Sequence, residues 1–159
     1  MLTVKHNYNN MSTQLRLKGR KLIKGVDSDV FRTAIEISRT ARDKAPKARS
    51  ELTQSIQVHK LGPANYHIRA EKEYASAVEN GTYPGGQPSL RAIKDWIKVK
   101  GITPISPDIR KRDLPFLIRR SIAKNGTPPR PFMRPAANQH VPALMQTITR
   151  HMGTEWGTA

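Results

Sequence analysis

The sequence predicts an α+β fold: a small antiparallel sheet, in essence a hairpin, packed by a long N-terminal helix, with further short helices and a C-terminal helix. Three observations predict it. Residues 28–45 carry apolar side chains at helical spacing. Two short runs, 52–60 and 66–70, alternate apolar and polar residues on either side of a turn. Three more helical stripes follow, each with its own stop signal. Helices gathered on one face of such a sheet leave strand edges that can recruit a neighbour.

Residues 1–11 read as a flexible N-terminus. TQLRLK (13–18) alternates Leu15 and Leu17 with polar neighbours, a short strand signal ended by Gly19. The first helix starts near Ser28, with Asp27 or Ser28 as N-cap and Pro46 as the stop. Val30, Ala34, Ile37, Ala41 and Ala45 form its stripe, widened by Phe31, and Gly25 weakens any join to residues 20–26. LTQSIQVHK (52–60) places Leu52, Ile56 and Val58 in near-alternation, and YHIRA (66–70) places Tyr66, Ile68 and Ala70 on one face. Between them Gly62-Pro63-Ala64-Asn65 is turn chemistry, so the two runs pair as a hairpin.

Beyond Gly81 the residues from Tyr83 to Pro88 form a loop, and Ser89 caps a helix over 90–100 with Leu90, Ile93, Trp96 and Ile97 on its apolar face and Gly101 at C′. Trp96 is expected in the core. Residues 102–112 hold two prolines and the cluster Arg110-Lys111-Arg112 and read as an exposed loop. Asp113 caps a third helix, with Pro115 in its first turn, Leu114, Leu117, Ile118 and Ile122 along one side, and Asn125-Gly126 at its close. Next comes PPRPFMRPA (128–136), in which four of nine residues are proline. Each proline fixes φ and extends the residue before it, so this segment is a stiff strap that cannot become helical until past Pro135. It carries Phe132, destined either for this chain's core or for a partner. The last helix is expected from about Ala136, with Val141, Leu144, Met145 and Ile148 inward and Pro142 forcing a kink or a late start. The chain therefore reads as one domain over 12–152 with a helical insertion at about 89–124, followed by a tail, 153–159, whose Gly-flanked Trp156 suggests docking.

At 159 residues one domain with a modest core fits a mean hydropathy of −0.62. There is no cysteine, so neither disulfides nor thiolate metal sites are available. No apolar run reaches the roughly 20 residues that span a bilayer, and MLTVKHNYNN (1–10) has neither an apolar h-region nor a small-residue cleavage pattern, so a secretory signal is not expected. The dominant global number is charge: 28 Lys+Arg against 12 Asp+Glu, a formal +16, which predicts attraction to polyanions or to acidic protein faces.

Reaction chemistry is sparse. The five histidines lack metal-ligand spacing, although His59 and His67 face each other across the hairpin. Glu71 and Glu73, beside Lys72, read as solvated surface charges, and Gly85-Gly86 lacks the lysine and helix of a phosphate loop. No nucleophile elbow is present. The expectation is a non-enzyme without metal or cofactor. Pro128, Arg130 and Pro131 are also the residue types of a PxxP ligand.

Two segments carry a resemblance. YASAVENGT (74–82), followed by PPRPFMRPA, resembles the paired signature of a phage tail-component family, the tail-completion or head–tail joining proteins of long, non-contractile-tailed phages. In that family a helix ending in Ala-Pro leads to a strand ending in Ser-Ile, matched here by Ala45-Pro46 and the run from Leu52 to Ile56. A Tyr-Ala…Val-Glu-x-Gly-Thr element follows, matched by Tyr74-Ala75 and Val78 to Thr82. The last match, before a final helix, is Pro131-Phe132-Met133-Arg134-Pro135-Ala136. The helices over 89–100 and 113–124 resemble an insertion many members carry. The likeness runs over most of residues 15–150, and its specificity lies in the order and spacing of the motifs. The family usually has Thr-Gly before the leucine of its first long strand, where this chain has Arg49-Ser50-Glu51-Leu52: either the turn is built differently or the correspondence there is looser.

The resemblance implies a structural virion protein that joins or completes the tail at the head–tail interface, made in the host cytoplasm. Its partners would be tail-tube and head-connector proteins and further copies of itself in a ring, a hexamer by family likeness. On this reading Glu79, Gly81 and Thr82 form a turn that orders the loop 83–88. Tyr74, Arg130, Pro131, Phe132 and Arg134 then lie at or beside an intersubunit contact. The basic charge would face either DNA in the channel, non-specifically, or an acidic neighbouring ring; tight gripping of DNA would impede its exit, which favours the acidic partner. The alternative is a basic nucleic-acid-binding domain or a small metal-free ribonuclease. Against it, Tyr66 is the only stacking platform on the strands and no capped helix carries a row of arginines.

Overall fold

The computed structural model describes residues 8–47 and 50–156, apart from the side chains of residues 8–10, 155 and 156. The order is α1 (Tyr8–Lys44), α2 (Glu51–Gln54), β1 (Ile56–Gly62), β2 (Asn65–Ala70), α3 (Ala75–Asn80), α4 (Leu90–Lys100), α5 (Leu114–Asn125) and α6 (Met133–Trp156). This is α+β, mostly helical, with a long N-terminal helix, a two-stranded antiparallel sheet and a C-terminal helix.

Helix α1 is longer than the sequence suggested. It begins at Tyr8, within the stretch expected to be flexible, and runs through Gly19 and Gly25, so the strand expected at 13–18 is helical. Gln, Leu, Arg and Lys are all good helix formers, and no third strand exists among the described residues for Leu15 and Leu17 to join. Gly25 does not break the helix; it lies under the His151 ring of α6, where a Cβ would stand 3.5 Å from the ring carbon. That is an ordinary van der Waals distance, so the helix contact itself does not demand glycine there.

The C-terminal half of α1 buries Ala34, Ile37, Ala41 and Ala45 as its spacing predicts. Of these, Ile37, Ala41 and Ala45 share one core with Leu52 of α2, Ile56 of β1, Ala75 of α3, and Phe132 and Ala136 at the start of α6. Leu52 belongs to the short helix α2, so the first strand starts only at Ile56. Arg42 donates from its guanidinium to the Ile56 carbonyl, fixing that strand start to α1.

The hairpin forms as expected and sets His59 opposite His67; its register also pairs Val58 with Ile68, and a bulge between Lys60 and Gly62 leaves Leu61 exposed. Asp27, expected as an N-cap, sits inside α1 and serves the hairpin instead. Its carboxylate accepts from the Ala64 N–H (2.9 Å), the Tyr66 hydroxyl (3.0 Å) and Lys60 Nζ (2.7 Å). The Lys60 hydrogen bond first, then that of Ala64, hold Asp27 below the usual carboxylate range despite partial desolvation, and the same pairing raises Lys60. Phe31 packs against Tyr66 as a tilted ring pair with centroids 5.4 Å apart, adding a second tie between helix and sheet.

Helix α6 packs antiparallel along α1, as two polar pairs show: Thr40 Oγ1 lies 2.8 Å from His140 Nε2, and Asp29 Oδ2 lies 2.6 Å from His151 Nε2. The inward stripe is Met133, Ala136, Ala137, His140, Leu144, Thr147, Ile148 and His151. Val141 and Met145, expected inward, are 40% and 58% exposed. With Phe132 and Ala136 fixed in the core, 3.6 residues per turn brings 140, 144 and 147 round to α1 and leaves 141 and 145 off that line. Pro142 stands inside the helix on its exposed side.

Candidate functional site

The two segments that carry the family resemblance lie against each other, and Glu79 joins them. α6 begins at Met133, two residues before Pro135, contrary to the expectation that the strap stays extended until that proline. The first four N–H positions of a helix have no partner within it. Here the backbone N–H groups of Phe132, Met133 and Arg134 all donate to the Glu79 carboxylate, at 2.7, 3.0 and 2.9 Å. Pro135, the fourth, has no N–H to satisfy. One side chain from α3 thus completes the helix start, and its charge sits at the positive end of the helix dipole. Partial burial pushes the Glu79 carboxyl up, but the three N–H bonds together with the Arg134 charge outweigh it and hold it below its ordinary value.

Phe132 goes into this chain. It is 1% exposed and among the largest fully buried side chains, so of its two possible destinations the structure shows the intramolecular one. Arg130, Pro131 and Arg134 remain on the surface, and Tyr74 is 45% exposed. Arg130 donates its backbone N–H to the Val78 carbonyl at 2.8 Å, and the Arg134 guanidinium reaches Asn80.

Gly81 and Thr82 bind the same strap. Thr82 and Thr127 form an isolated antiparallel bridge, with both backbone N–H···O bonds made and their hydroxyls 2.9 Å apart. Gly81 has φ 73°, and a Cβ there would lie 2.5 Å from the Thr127 carbonyl oxygen, so only glycine lets the chains cross this closely. Residues 83–126 therefore leave and re-enter the body at one stitched neck. The loop 83–88 is ordered from the other side, by Gly85 N–H on the Ala123 carbonyl and by the Arg119 guanidinium on Gln87 (both 2.7 Å), and Glu79 takes no part in it.

Within this excursion α4 has the predicted bounds and caps: Ser89 Oγ accepts from Ala92 N–H, and Gly101 closes it at φ 63°. α5 follows Asp113 as expected, although that side chain makes no capping bond. α4 and α5 pack on each other and stand off from the body. The gap is a groove of about 860 Å³, lined by Leu52, Val78, Ile93, Trp96, Val99 and Ile118 among others, with Glu51, Asp95 and Arg130 also on its wall. Trp96 is not core: it is 43% exposed and faces this groove. A helical apolar face looks the same in sequence whether a neighbour covers it or not.

On the hairpin's outer face His59 lies opposite His67 and 3.2 Å from Glu71, all exposed, and no group of three potential metal ligands occurs among the described residues. No helix of the described residues is long and apolar enough to cross a membrane. The side chain of Trp156 lies outside the described set, as does Arg49. Comparison with protein-family models, with curated proteins and with solved structures finds no match to this chain.

Proposed function

We propose that the protein is a structural virion component that completes a phage tail or joins it to the head, acting by shape and surface complementarity and without a reaction of its own. The observation that carries this reading is the Glu79 clamp. The two sequence segments that resemble the tail-completion family are held together by one carboxylate and an adjoining threonine bridge. Their residues serve a common purpose: they set a rigid frame from which Arg130, Pro131, Arg134 and Tyr74 project. A preformed surface binds with little ordering cost. Tail-tube and head-connector proteins are the proposed partners, with further copies of the chain in a ring, a hexamer by likeness; the virion is its place and the host cytoplasm its site of assembly. Acidic neighbours would account for much of the +16 charge.

The test is joining. Heads and tails made without this chain should form particles when the purified protein is added, and an Arg130→Ala/Arg134→Ala variant, which leaves Phe132 in place, should join them at least tenfold more slowly. The same charge supports a second reading as a nucleic-acid-binding domain. Sequence-selective duplex binding near physiological salt, or turnover of RNA, with no effect on joining, would replace the first reading with the second.

A further inference from the structure

The α4–α5 lobe carries exposed apolar side chains at the end away from its neck. Residues 101–113 join the C-terminus of α4 to the N-terminus of α5, whereas Asn125, the last residue of α5, lies two residues before the Thr127 bridge. The 12 residues of α5 set the joining loop about 18 Å from that bridge at about 1.5 Å per residue. Ile105 in the loop is fully exposed at 104%, and Phe116 and Leu117 in the first turn of α5 are 58% and 39% exposed. Pro104 and Pro107 fix the backbone on either side of Ile105. Two bonds hold the turns that follow: Ile109 N–H on the Ser106 carbonyl (3.2 Å) and Asp113 N–H on the Arg110 carbonyl (2.9 Å). An apolar side chain held out on a stiff loop binds with little ordering cost.

The same tip is basic. Residues 100–112 hold Lys100, Arg110, Lys111 and Arg112 against Asp108 alone. Arg112 pairs with Asp113 at 3.7 Å and Asp108 takes the Ser106 hydroxyl, but the side chains of Lys100, Arg110 and Lys111 meet no carboxylate among the described residues. A second copy cannot supply the complement. Of the carboxylates whose side chains are described, all but Asp43 and Glu73 already have a hydrogen-bond or ion-pair partner, which leaves too few to rim a socket for three cations. A duplex backbone offers phosphates and no apolar socket for Ile105. A bilayer needs more apolar area than one isoleucine and one phenylalanine, since even a single myristoyl chain binds only marginally. An acidic protein face with an apolar socket matches both halves of the tip.

We propose that the tip of the α4–α5 lobe docks into an apolar socket rimmed by carboxylates on a different protein, with Ile105 and Phe116 as anchors and Lys100, Arg110 and Lys111 meeting the rim. A joining subunit meets two neighbours. The surface framed by Glu79 serves one of them, and the tip, at the far end of the lobe, serves the other. The inference deepens the assembly reading and rests on it for the identity of the partner, a head or tail protein.

The test sediments the full chain with heads and, separately, with tails, both made without it, at ~0.15 M and at ~1 M salt. Ile105→Gln/Phe116→Gln removes the anchors, and Lys100→Gln/Arg110→Gln/Lys111→Gln removes the cations. All five positions are exposed, and Gln keeps helix propensity at 100 and 116. Wild type should bind heads and tails. Each variant should lose at least tenfold in affinity for the same one of them, while keeping the other and its thermal midpoint. The cation variant should also lose most of the salt dependence of that contact. Folded variants that bind like wild type overturn the tip contact and leave the joining reading standing. Wild type that binds neither heads nor tails removes both. If the tip instead carries binding to random-sequence duplex DNA, or to vesicles of phosphatidylserine and phosphatidylcholine, and either variant loses it, the tip is a phosphate contact and the protein partner is overturned.

Discussion

The Glu79 carboxylate accepts a 2.7 Å hydrogen bond from the backbone N–H of Phe132, 53 residues further along the chain, and so caps the helix that begins there. The first turn of α6 has no acidic residue of its own. The cap arrives from another element, and the fold around it can be tested there.

Glu79→Ala leaves three helix-start N–H groups without their acceptor beside the buried Phe132. Stability should fall by about 2 kcal/mol, the upper range for loss of a helix cap. Glu79→Gln, which keeps an acceptor oxygen and drops the charge, should lose less. Urea denaturation at neutral pH measures both.

Glu79 and Asp27 are both held below their ordinary values in the folded chain. Their unfolded values lie at about 4.3 and 3.9. The stability they contribute is present above those values and drains as pH falls through the lower folded ones. Denaturation midpoints should therefore decline from about pH 4 downward, and a Glu79→Gln/Asp27→Asn variant should show a flatter acid limb. Lys60 behaves in the opposite sense: its value is raised, so its contribution is complete below about pH 10.4 and is lost as pH climbs through the folded value.

Ala64 holds φ 52° in the hairpin turn, a conformation that costs an L-residue roughly 1–2 kcal/mol and glycine almost nothing. Ala64→Gly keeps the N–H that Asp27 accepts. Relief of strain outweighs glycine's extra unfolded-state entropy of about 0.4–1 kcal/mol, so the variant should melt a few degrees higher. Calorimetry decides it, and an unchanged or lower midpoint would show the strain to be absent.

Gly81→Ala faces both a positive φ and the Thr127 carbonyl at 2.5 Å. It should cost about 2 kcal/mol or more, beyond the usual range for surface substitutions. The damage should localise: limited proteolysis should cut first within residues 83–126, because the neck that closes them is what the new methyl forces apart.

Local signals made much of this fold legible. The Ser89 cap, the Gly101 terminator, the Gly126 stop and the Gly62-to-Asn65 turn each act within a few residues, and the structure uses each of them. The N-terminal half of α1 misled because two leucines a residue apart imitate a strand when nothing local reveals that no sheet awaits them. α6 misled for the opposite reason: its packing stripe uses alanine, threonine and histidine opposite Asp29, Glu36 and Thr40, so large apolar residues did not mark the inner face. The role of Glu79 was hidden by distance along the chain. A helix start with three N–H donors, a proline in the fourth position and no acid of its own was the available clue that a remote carboxylate must supply the acceptor.

The threonine stitch has a consequence for descent. Because the polypeptide departs and returns through one gap, the two-helix lobe is a graft: it can be stretched, trimmed or exchanged while the trunk keeps its connectivity. Relatives adapted to different neighbours would then differ most in this lobe and least where the stem is sewn shut.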